Sequence, residues 1–195
     1  NVVCAAMLGG DEYPSTAIGI NLPNADWIRA QYGSKSITIG NLTHAYNKAS
    51  RGNGFIEEFA IKDESTRSLI SLYGDLCDDL HTDLHECLGH GSGLLLPGVP
   101  ADALGSYGST IEEARADLFG LYYIADPKLV QLGLTPNAEA YRSQYYTYMM
   151  NGLLTQLTRI KPGHQIEEAH MRNRALIARW VLCHYPNAVQ LVLQE

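Results

Sequence analysis

His85-Glu86-Cys87-Leu88-Gly89-His90 brings two imidazoles and a carboxylate into one short stretch of the chain. In the H-E-x-x-H motif of zinc hydrolases the two histidines are four residues apart, which places both rings on one face of an α-helix. Here they are five residues apart, which is roughly 140° around a regular helix and too far for both to hold one ion. The spacing therefore predicts a locally distorted helix, such as a single π-turn, at a candidate metal site, and Gly89 is permissive enough to help form it.

An acidic stretch lies one loop further along the chain, Glu112-Glu113-Ala114-Arg115-Ala116-Asp117. Glu113 and Asp117 share a helical face, so a carboxylate from this segment is a candidate third metal ligand. The stretch is also typical of an ordinary helix start, because Ser109-Thr110-Ile111-Glu112 fits a capping box and acidic residues are favoured in the first turn. Its position after the histidine motif favours the metal site.

These two stretches resemble the paired signatures H-E-x-x-G-H and E-E-x-(R/K)-A-(E/D) of the dipeptidyl peptidase III family of zinc metallopeptidases, in its bacterial form. Both signatures are complete and stand in the right order. The resemblance implies that His85, His90 and Glu113 are the ligands of one zinc ion and that Glu86 is the general base.

The chemistry of this residue set agrees with the resemblance. Two imidazoles and one carboxylate leave a fourth zinc position open for water, which is typical of a catalytic site. Zinc lowers the pKa of its water to about 7, and Glu86 can take the proton as hydroxide attacks a peptide carbonyl, then return it to the leaving amine. By the resemblance, Glu112 and Asp117 are outer partners that fix the tautomers of the ligands, aspartate being an allowed variant at the last position.

A segment near the start of the chain, Gly19-Ile20-Asn21-Leu22-Pro23-Asn24, is similar to the G-I-N-x-P-N segment of the same family. The similarity implies that Gly19, Asn21 and Asn24 bind the backbone of an extended peptide at a strand edge. The same residue types are typical of an ordinary turn after a strand, which is the alternative interpretation.

His170 is similar to the family's active-site histidine, which stabilises the tetrahedral intermediate. Arg174 lies one turn later on the same helical face and is a candidate substrate-binding cation. The alternative is an amphipathic helix in which Glu167 and Glu168 pair with Arg172 or Arg174 across one turn.

The segment before the histidine motif has a helical pattern from about residue 63 to residue 90. Within it leucine recurs every fourth residue and is predicted to form the buried face; the residues are Leu76, Leu80, Leu84 and Leu88. His81 lies four residues before His85, but no glutamate follows it, and the aspartates around it are typical of a solvated face. We therefore interpret His81 as a surface or core histidine rather than a ligand.

The remaining pattern predicts a mainly α fold, a helical zinc-binding catalytic domain with a small β element that occupies residues 1–195. Helices are predicted over 25–32, 42–49, 63–90, 111–125, 137–159 and 166–184, and strands over 15–22, 36–39 and 189–193. A loop over 91–108 joins the two metal-bearing helices. Tyrosines at 141, 145, 146 and 148 are predicted to pack the helix with hydroxyls that reach solvent.

Composition excludes several classes of protein. The 195 residues are 46% hydrophobic and 18% charged, as in an ordinary globular domain. A net charge of −7 with scattered basic residues argues against binding nucleic acid. The apolar opening run is too short to span a membrane and lacks the basic flank of a signal peptide. Four cysteines without a C-x-x-C pair predict buried free thiols and a cytoplasmic protein.

These inferences predict the zinc-bearing part of a two-lobed enzyme that releases dipeptides from the N-terminus of short peptides. Because the family's enzymes are several times longer, the chain is expected to be a fragment, and the remaining lobe is its expected partner. The alternatives are a zinc endopeptidase or amidohydrolase without dipeptide selectivity, and a silent peptide-binding domain with a structural metal.

Overall fold

A computed structural model of the chain describes residues 1–6, 17–60, 63–155, 158, 160–166 and 168–193. Within them helices predominate and one small three-stranded sheet is present, so the predicted mainly α fold class is confirmed. The strands are β1 Val2–Val3, β2 Gly19–Leu22 and β3 Lys35–Ile39. The α-helices are α1 Asp26–Tyr32, α2 Gly40–Ser50, α3 Phe55–Phe59, α4 Glu64–Leu84, α5 Gly108–Ile124, α6 Pro127–Gln131, α7 Arg142–Met150 and α8 Ala169–His184. Single π-turns span His85–Gly89 and Asn151–Thr155, and 3₁₀ turns span His90–Ser92 and Gly105–Tyr107.

The sheet has the order β1-β3-β2, with β1 parallel and β2 antiparallel to β3. A side-chain hydrogen bond attaches it to the C-terminal end of α4, since Thr38 Oγ1 donates to Asp83 Oδ1 at 2.6 Å. In the described sheet β2 is an edge strand, and it lies next to the π-turn that follows α4. The sheet therefore brings the edge of β2 beside the histidine motif.

The helices α4, α5, α7 and α8 form the core. Asp63 caps α4 by accepting from the backbone N–H groups of Ser65 and Thr66, which satisfies two donors of the first turn. One apolar cluster joins α4 to α5, α6 and the turn before α7; its members are Cys77, Ile124, Leu129 and Ala140. A second joins α5, α7 and α8 through Ala114, Tyr148 and Ile177. Both clusters fix α5 against its neighbours.

The predicted leucine stripe, which runs from Leu76 in α4 to Leu88 in the π-turn, is wrong at both ends. Leu76 and Leu88 are each 40% exposed, whereas Leu80 and Leu84 pack against the core. Residues spaced by four drift about 40° per step around a helix, so a stripe of four such residues cannot stay on one face. The buried positions of α4 are instead Thr66, Ile70, Cys77 and His81.

Several predicted bounds differ from the structure. Residues 189–193 form no strand, and the segment predicted as helix from 137 contains a turn before α7 and a π-turn after it. Predicted residues 15, 16, 156, 157, 159 and 167 lie outside the described residues. The short helices α3 and α6 were not predicted, although Asp126 caps α6 and Pro127 occupies its first turn, which is a recognisable helix start.

All four cysteines are free, as predicted, but only Cys77 is buried. Its Sγ lies 3.2 Å from the backbone oxygen of Ala140, to which it donates. The prediction of burial is wrong for Cys4, Cys87 and Cys183, which are exposed. Within the described part of the chain, no helix combines the length and the apolar character needed to cross a bilayer. The single domain and the cytoplasmic location stay predictions.

Candidate metal centre

The histidine motif forms the distorted helix that its spacing predicts. α4 ends at Leu84, and His85–Gly89 continues it as one π-turn, which absorbs the extra residue between the histidines. The rings of His85 and His90 consequently lie edge to face, with centroids 4.6 Å apart. The two imidazoles therefore converge on one point.

Gly89 is needed here because it carries no side chain. Its backbone has φ −62° and ψ −89°. A Cβ atom at this position would lie 2.7 Å from the Cα atom of Ala116 in α5. The missing side chain lets the π-turn approach α5 closely, and α5 carries the acidic signature.

Glu113 reaches from α5 to both imidazoles. Its Oε2 atom lies 3.4 Å from His85 Nε2, and its Oε1 atom lies 3.6 Å from His90 Nε2. One donor atom from each of the three residues lies within 4.8 Å of the others. Tetrahedral zinc with bonds of about 2.1 Å separates its donor atoms by about 3.4 Å, so the three residues fit a metal ion.

The far nitrogen of each imidazole faces another carboxylate of the acidic signature. His85 Nδ1 lies 2.7 Å from Asp117 Oδ1, and His90 Nδ1 lies 3.0 Å from Glu112 Oε1. A carboxylate at Nδ1 holds a proton on that nitrogen, so Nε2 is the atom that can lose its proton and offer a lone pair to a metal ion. The capping-box interpretation of this stretch is wrong, because α5 begins at Gly108 without a side-chain cap.

The charges of the group are strongly coupled. Burial opposes protonation of the two imidazoles. Hydrogen bonds to Asp117 and Glu113 nevertheless raise the pKa of His85 to about 9. Hydrogen bonds to Glu112 and Glu113 likewise raise the pKa of His90 to about 9. Burial alone would raise the pKa of the Glu112 and Glu113 carboxyl groups. Their hydrogen bonds to the two histidines hold both pKa values at about 2 instead. Binding of a metal ion must displace the protons held here.

Glu86 lies beside the metal group without belonging to it. Its side chain is buried, and burial raises the pKa of its carboxyl group. Among the described residues its Oε2 atom has no hydrogen-bond partner. A Cβ atom at Gly19 in β2 would lie 2.6 Å from Glu86 Oε1, so the absence of a side chain at Gly19 makes room for this carboxylate.

His170 is brought to the same place by the first turn of α8. Its Nε2 atom lies 3.2 Å from Glu113 Oε2, and its Nδ1 atom lies 2.5 Å from Glu168 Oε1. Glu168 also caps α8 by accepting from the backbone N–H groups of His170 and Met171. Glu168 thus pairs with His170, and Arg172 donates to the backbone oxygen of Ile166. The ion pair of the alternative interpretation, between Glu168 and Arg172, is not formed.

Other residues of the predicted site have different surroundings. The positive charge of Arg174 favours the ionised forms of Asp117 and Tyr148. Arg174 also lines a cavity of about 1550 Å³ beside α4. No described contact joins it to Glu113. Asn21 is buried, and its Nδ2 group donates to the Glu86 backbone oxygen at 3.1 Å and to Ser36 Oγ at 2.8 Å, which ties β2 to the π-turn.

Asn24 is exposed beyond the end of β2. The substrate-binding roles of Gly19, Asn21, Asn24 and Arg174 stay predictions. His81 is buried, and its ring lies 3.4 Å from the backbone oxygen of Asp117, so it is a core histidine. Of the aspartates around it, Asp79 is exposed and Asp78 and Asp83 are half-buried.

Sequence reasoning missed three side chains that support the centre. Arg115 donates to both Glu112 carboxylate oxygens and, at 2.8 Å, to the backbone oxygen of Gly89, so it ties α5 to the π-turn. The position of Arg115 inside the acidic signature was the sequence signal that could have identified it. Tyr148 and Asn173 both hydrogen bond to Asp117, and the predicted solvent-reaching hydroxyl of Tyr148 is therefore wrong. No spacing rule links these two residues to the motif.

Comparisons with known proteins agree with this geometry. The sequence profile described as Peptidase family M49 matches residues 13–104. Dipeptidyl peptidase 3 from Homo sapiens is 26% identical over 197 residues, which cover 84% of this chain and 26% of that protein. Dipeptidyl peptidase 3 from Dictyostelium discoideum is 27% identical over 166 residues, which cover 68% of this chain and 23% of that protein.

A solved structure has the same fold. The structure of DPP III from Caldithrix abyssi matches 91% of this chain and 32% of its own, with a TM-score of 0.62 and 21% identity. The chain thus spans about a quarter of the length of the curated relatives that it matches. Both signatures meet around one point, and the profile match and these relatives support a place for the chain in the dipeptidyl peptidase III family, Peptidase family M49.

Proposed function

We propose that the protein is a zinc-dependent dipeptidyl peptidase that releases dipeptides from the N-terminus of short peptides. The observation that carries the proposal is the convergence of His85, His90 and Glu113, with the buried carboxylate of Glu86 beside them. The names of the relatives support the choice of dipeptidyl peptidase among the metal hydrolases.

The three ligands would hold one zinc ion. When bound, zinc would supply Lewis-acid polarisation of the peptide carbonyl and a lowered pKa for water. Asp117 and Glu112 prepare the site, because each keeps a proton on the Nδ1 atom of its histidine.

Glu86 moves the proton in this mechanism. Burial makes its carboxylate more basic than an exposed glutamate, which suits it to accept a proton from the attacking water. Its unpartnered Oε2 atom is the acceptor in our proposal. The protonated carboxyl group can then give that proton to the departing amine, which restores the base.

His170 stabilises the reacting group from the side of α8. The Glu168 carboxylate holds its Nδ1 atom, and this contact fixes the ring so that Nε2 faces the metal group. In that orientation an N–H bond at Nε2 can donate to the oxygen on which negative charge develops.

The edge of β2 supports an extended peptide as the substrate. Within the described sheet, β2 pairs with β3 along one side only. A peptide added along its other side would form main-chain hydrogen bonds and pass close to Glu86, because Gly19 abuts the Glu86 carboxylate.

Selectivity for dipeptides is tested with dipeptidyl arylamides and their N-acetylated forms, assayed with the complete protein. A dipeptidyl peptidase must bind the free amine, so acetylation is expected to lower kcat/KM by about 100-fold or more. Equal cleavage of both substrates would instead identify an endopeptidase or amidohydrolase. Bound zinc with no hydrolysis of either would identify a peptide-binding domain with a structural metal.

Gly19→Ala is expected to lower kcat by roughly 10–100-fold without loss of zinc. The added methyl group must displace the Glu86 carboxylate, since that flexible group yields more easily than the backbone, and displacement of a catalytic group by about 1 Å costs on this order. Gly74→Ala is the matched control, because a Cβ atom there meets Ile70 at an ordinary 3.7 Å. An unchanged kcat for Gly19→Ala would show that this contact does not place the base.

A further inference from the structure

A buried hydrogen-bond network lies behind His85, on the side away from Glu113. Asp117 is 2% exposed, and its Oδ1 atom accepts from His85 Nδ1 at 2.7 Å. Its Oδ2 atom accepts from the Tyr148 hydroxyl at 2.8 Å and from Asn173 Nδ2 at 2.7 Å. The three side chains come from α5, α7 and α8, so the network joins three helices at one carboxylate.

The geometry of this carboxylate depends on its second oxygen. With only Oδ1 engaged, the carboxylate could rotate about its bond to Cβ and tilt the His85 ring with it. Two donors on Oδ2 remove that freedom and stabilise the negative charge in a buried place.

Tyr148 and Asn173 are themselves held rigidly. Asn173 is fully buried, and its Oδ1 atom lies 3.2 Å from the Tyr148 hydroxyl oxygen. The Tyr148 ring packs edge to face on His81 at 5.7 Å and belongs to the apolar cluster with Ala114 and Ile177. Both donors therefore lie inside packed helix interfaces.

We infer that Tyr148 and Asn173 are positioning residues of the metal centre, which act through Asp117 to hold the His85 ring in the orientation that binds metal. The inference deepens the proposed function and rests on it for the identity of the ion. A purely structural role, in which the two residues only join α7 and α8 to α5, predicts a change in stability without a change in zinc affinity.

Zinc affinity distinguishes these roles, measured by chelator competition on the purified chain. Tyr148→Phe and Asn173→Ala are each expected to weaken zinc binding about tenfold, the lower end of what loss of an outer partner costs. Tyr145→Phe is the matched control, because the Tyr145 hydroxyl on the same helix donates to the Leu121 backbone oxygen of α5 at 2.8 Å and does not reach Asp117. Its zinc affinity should equal that of the unchanged chain.

A double-substitution cycle shows whether the effect passes through Asp117. In an Asp117→Asn background, Tyr148→Phe is expected to cause no further loss of zinc affinity. The visible absorption bands of the cobalt-substituted chain should shift in Tyr148→Phe and stay unchanged in Tyr145→Phe. If Asn173→Ala does not fold, the near-isosteric Tyr148→Phe decides the result on its own.

Wild-type affinity in Tyr148→Phe, or an equal loss with and without Asp117, would overturn the inference. A different result would contradict the proposed function. Tenfold weaker zinc binding together with an absence of hydrolysis would reject the peptidase while supporting the positioning role, and a wild-type chain that binds no zinc would reject both.

Discussion

Glu113→Ala is expected to abolish tight binding of the metal. Glu113 is the only carboxylate that faces the Nε2 atoms of both His85 and His90 within the described residues. Without it two imidazoles remain, and the loss of affinity should exceed the roughly 10–100-fold that follows removal of an outer partner. Elemental mass spectrometry of the protein after dialysis against a weak chelator measures the result directly.

The control for this experiment is Glu139→Ala. Glu139 is an exposed carboxylate that pairs with Arg142 at 3.0 Å, remote from the histidine motif in the sequence. Its removal also changes the net charge by one unit but should leave the zinc content unchanged. Retention of one zinc ion in Glu113→Ala would show that other residues hold the metal and would reject the ligand set.

The convergence of His85, His90 and Glu113 could be predicted from sequence because its determinants are local. The five-residue spacing of His85 and His90 admits one short-range solution, a π-turn, and this is what the chain forms. In the same way, the one-turn spacing of Glu113 and Asp117 puts both carboxylates on the face of α5 that meets the turn.

What could not be predicted depends on contacts between distant segments. The reason for glycine at 89 is the approach of Ala116, which no local pattern reveals. Tyr148 and Asn173 reach Asp117 from two other helices. The leucine pattern on α4 failed for a related reason, since a regular spacing shows that a helix has a face but not which positions its neighbours cover.

The hydrogen bonds around His85 and His90 differ in their exposure. The partners of His85 are buried, whereas the Glu112 and Arg115 side chains that support His90 are 37% and 30% exposed. Electrostatic interactions between exposed groups are screened by solvent, so the same number of hydrogen bonds stabilises the His90 side less. We therefore expect the orientation of His85 to be fixed more strongly than that of His90.

Glu86→Gln is expected to lower kcat by about 10²–10⁴-fold, the usual contribution of a general acid–base group, while the zinc content stays the same. The carboxamide has nearly the shape of the carboxylate and fits the same space against Gly19. It cannot accept and return a proton. Glu58→Gln, an exposed position on α3, is the control and should keep full activity.

Stability separates this result from simple damage to the fold. Because burial raises the pKa of Glu86, ionisation of this group costs the folded state more than the unfolded one. Its contribution to stability therefore falls as the pH rises through its unfolded and folded pKa values, and a neutral glutamine removes this penalty at neutral pH. We expect the zinc-free Glu86→Gln protein to unfold at the same or a higher temperature than the unchanged protein. An inactive variant that retains zinc and is no less stable would identify Glu86 as the base, whereas full activity in this variant would require another residue to accept the proton.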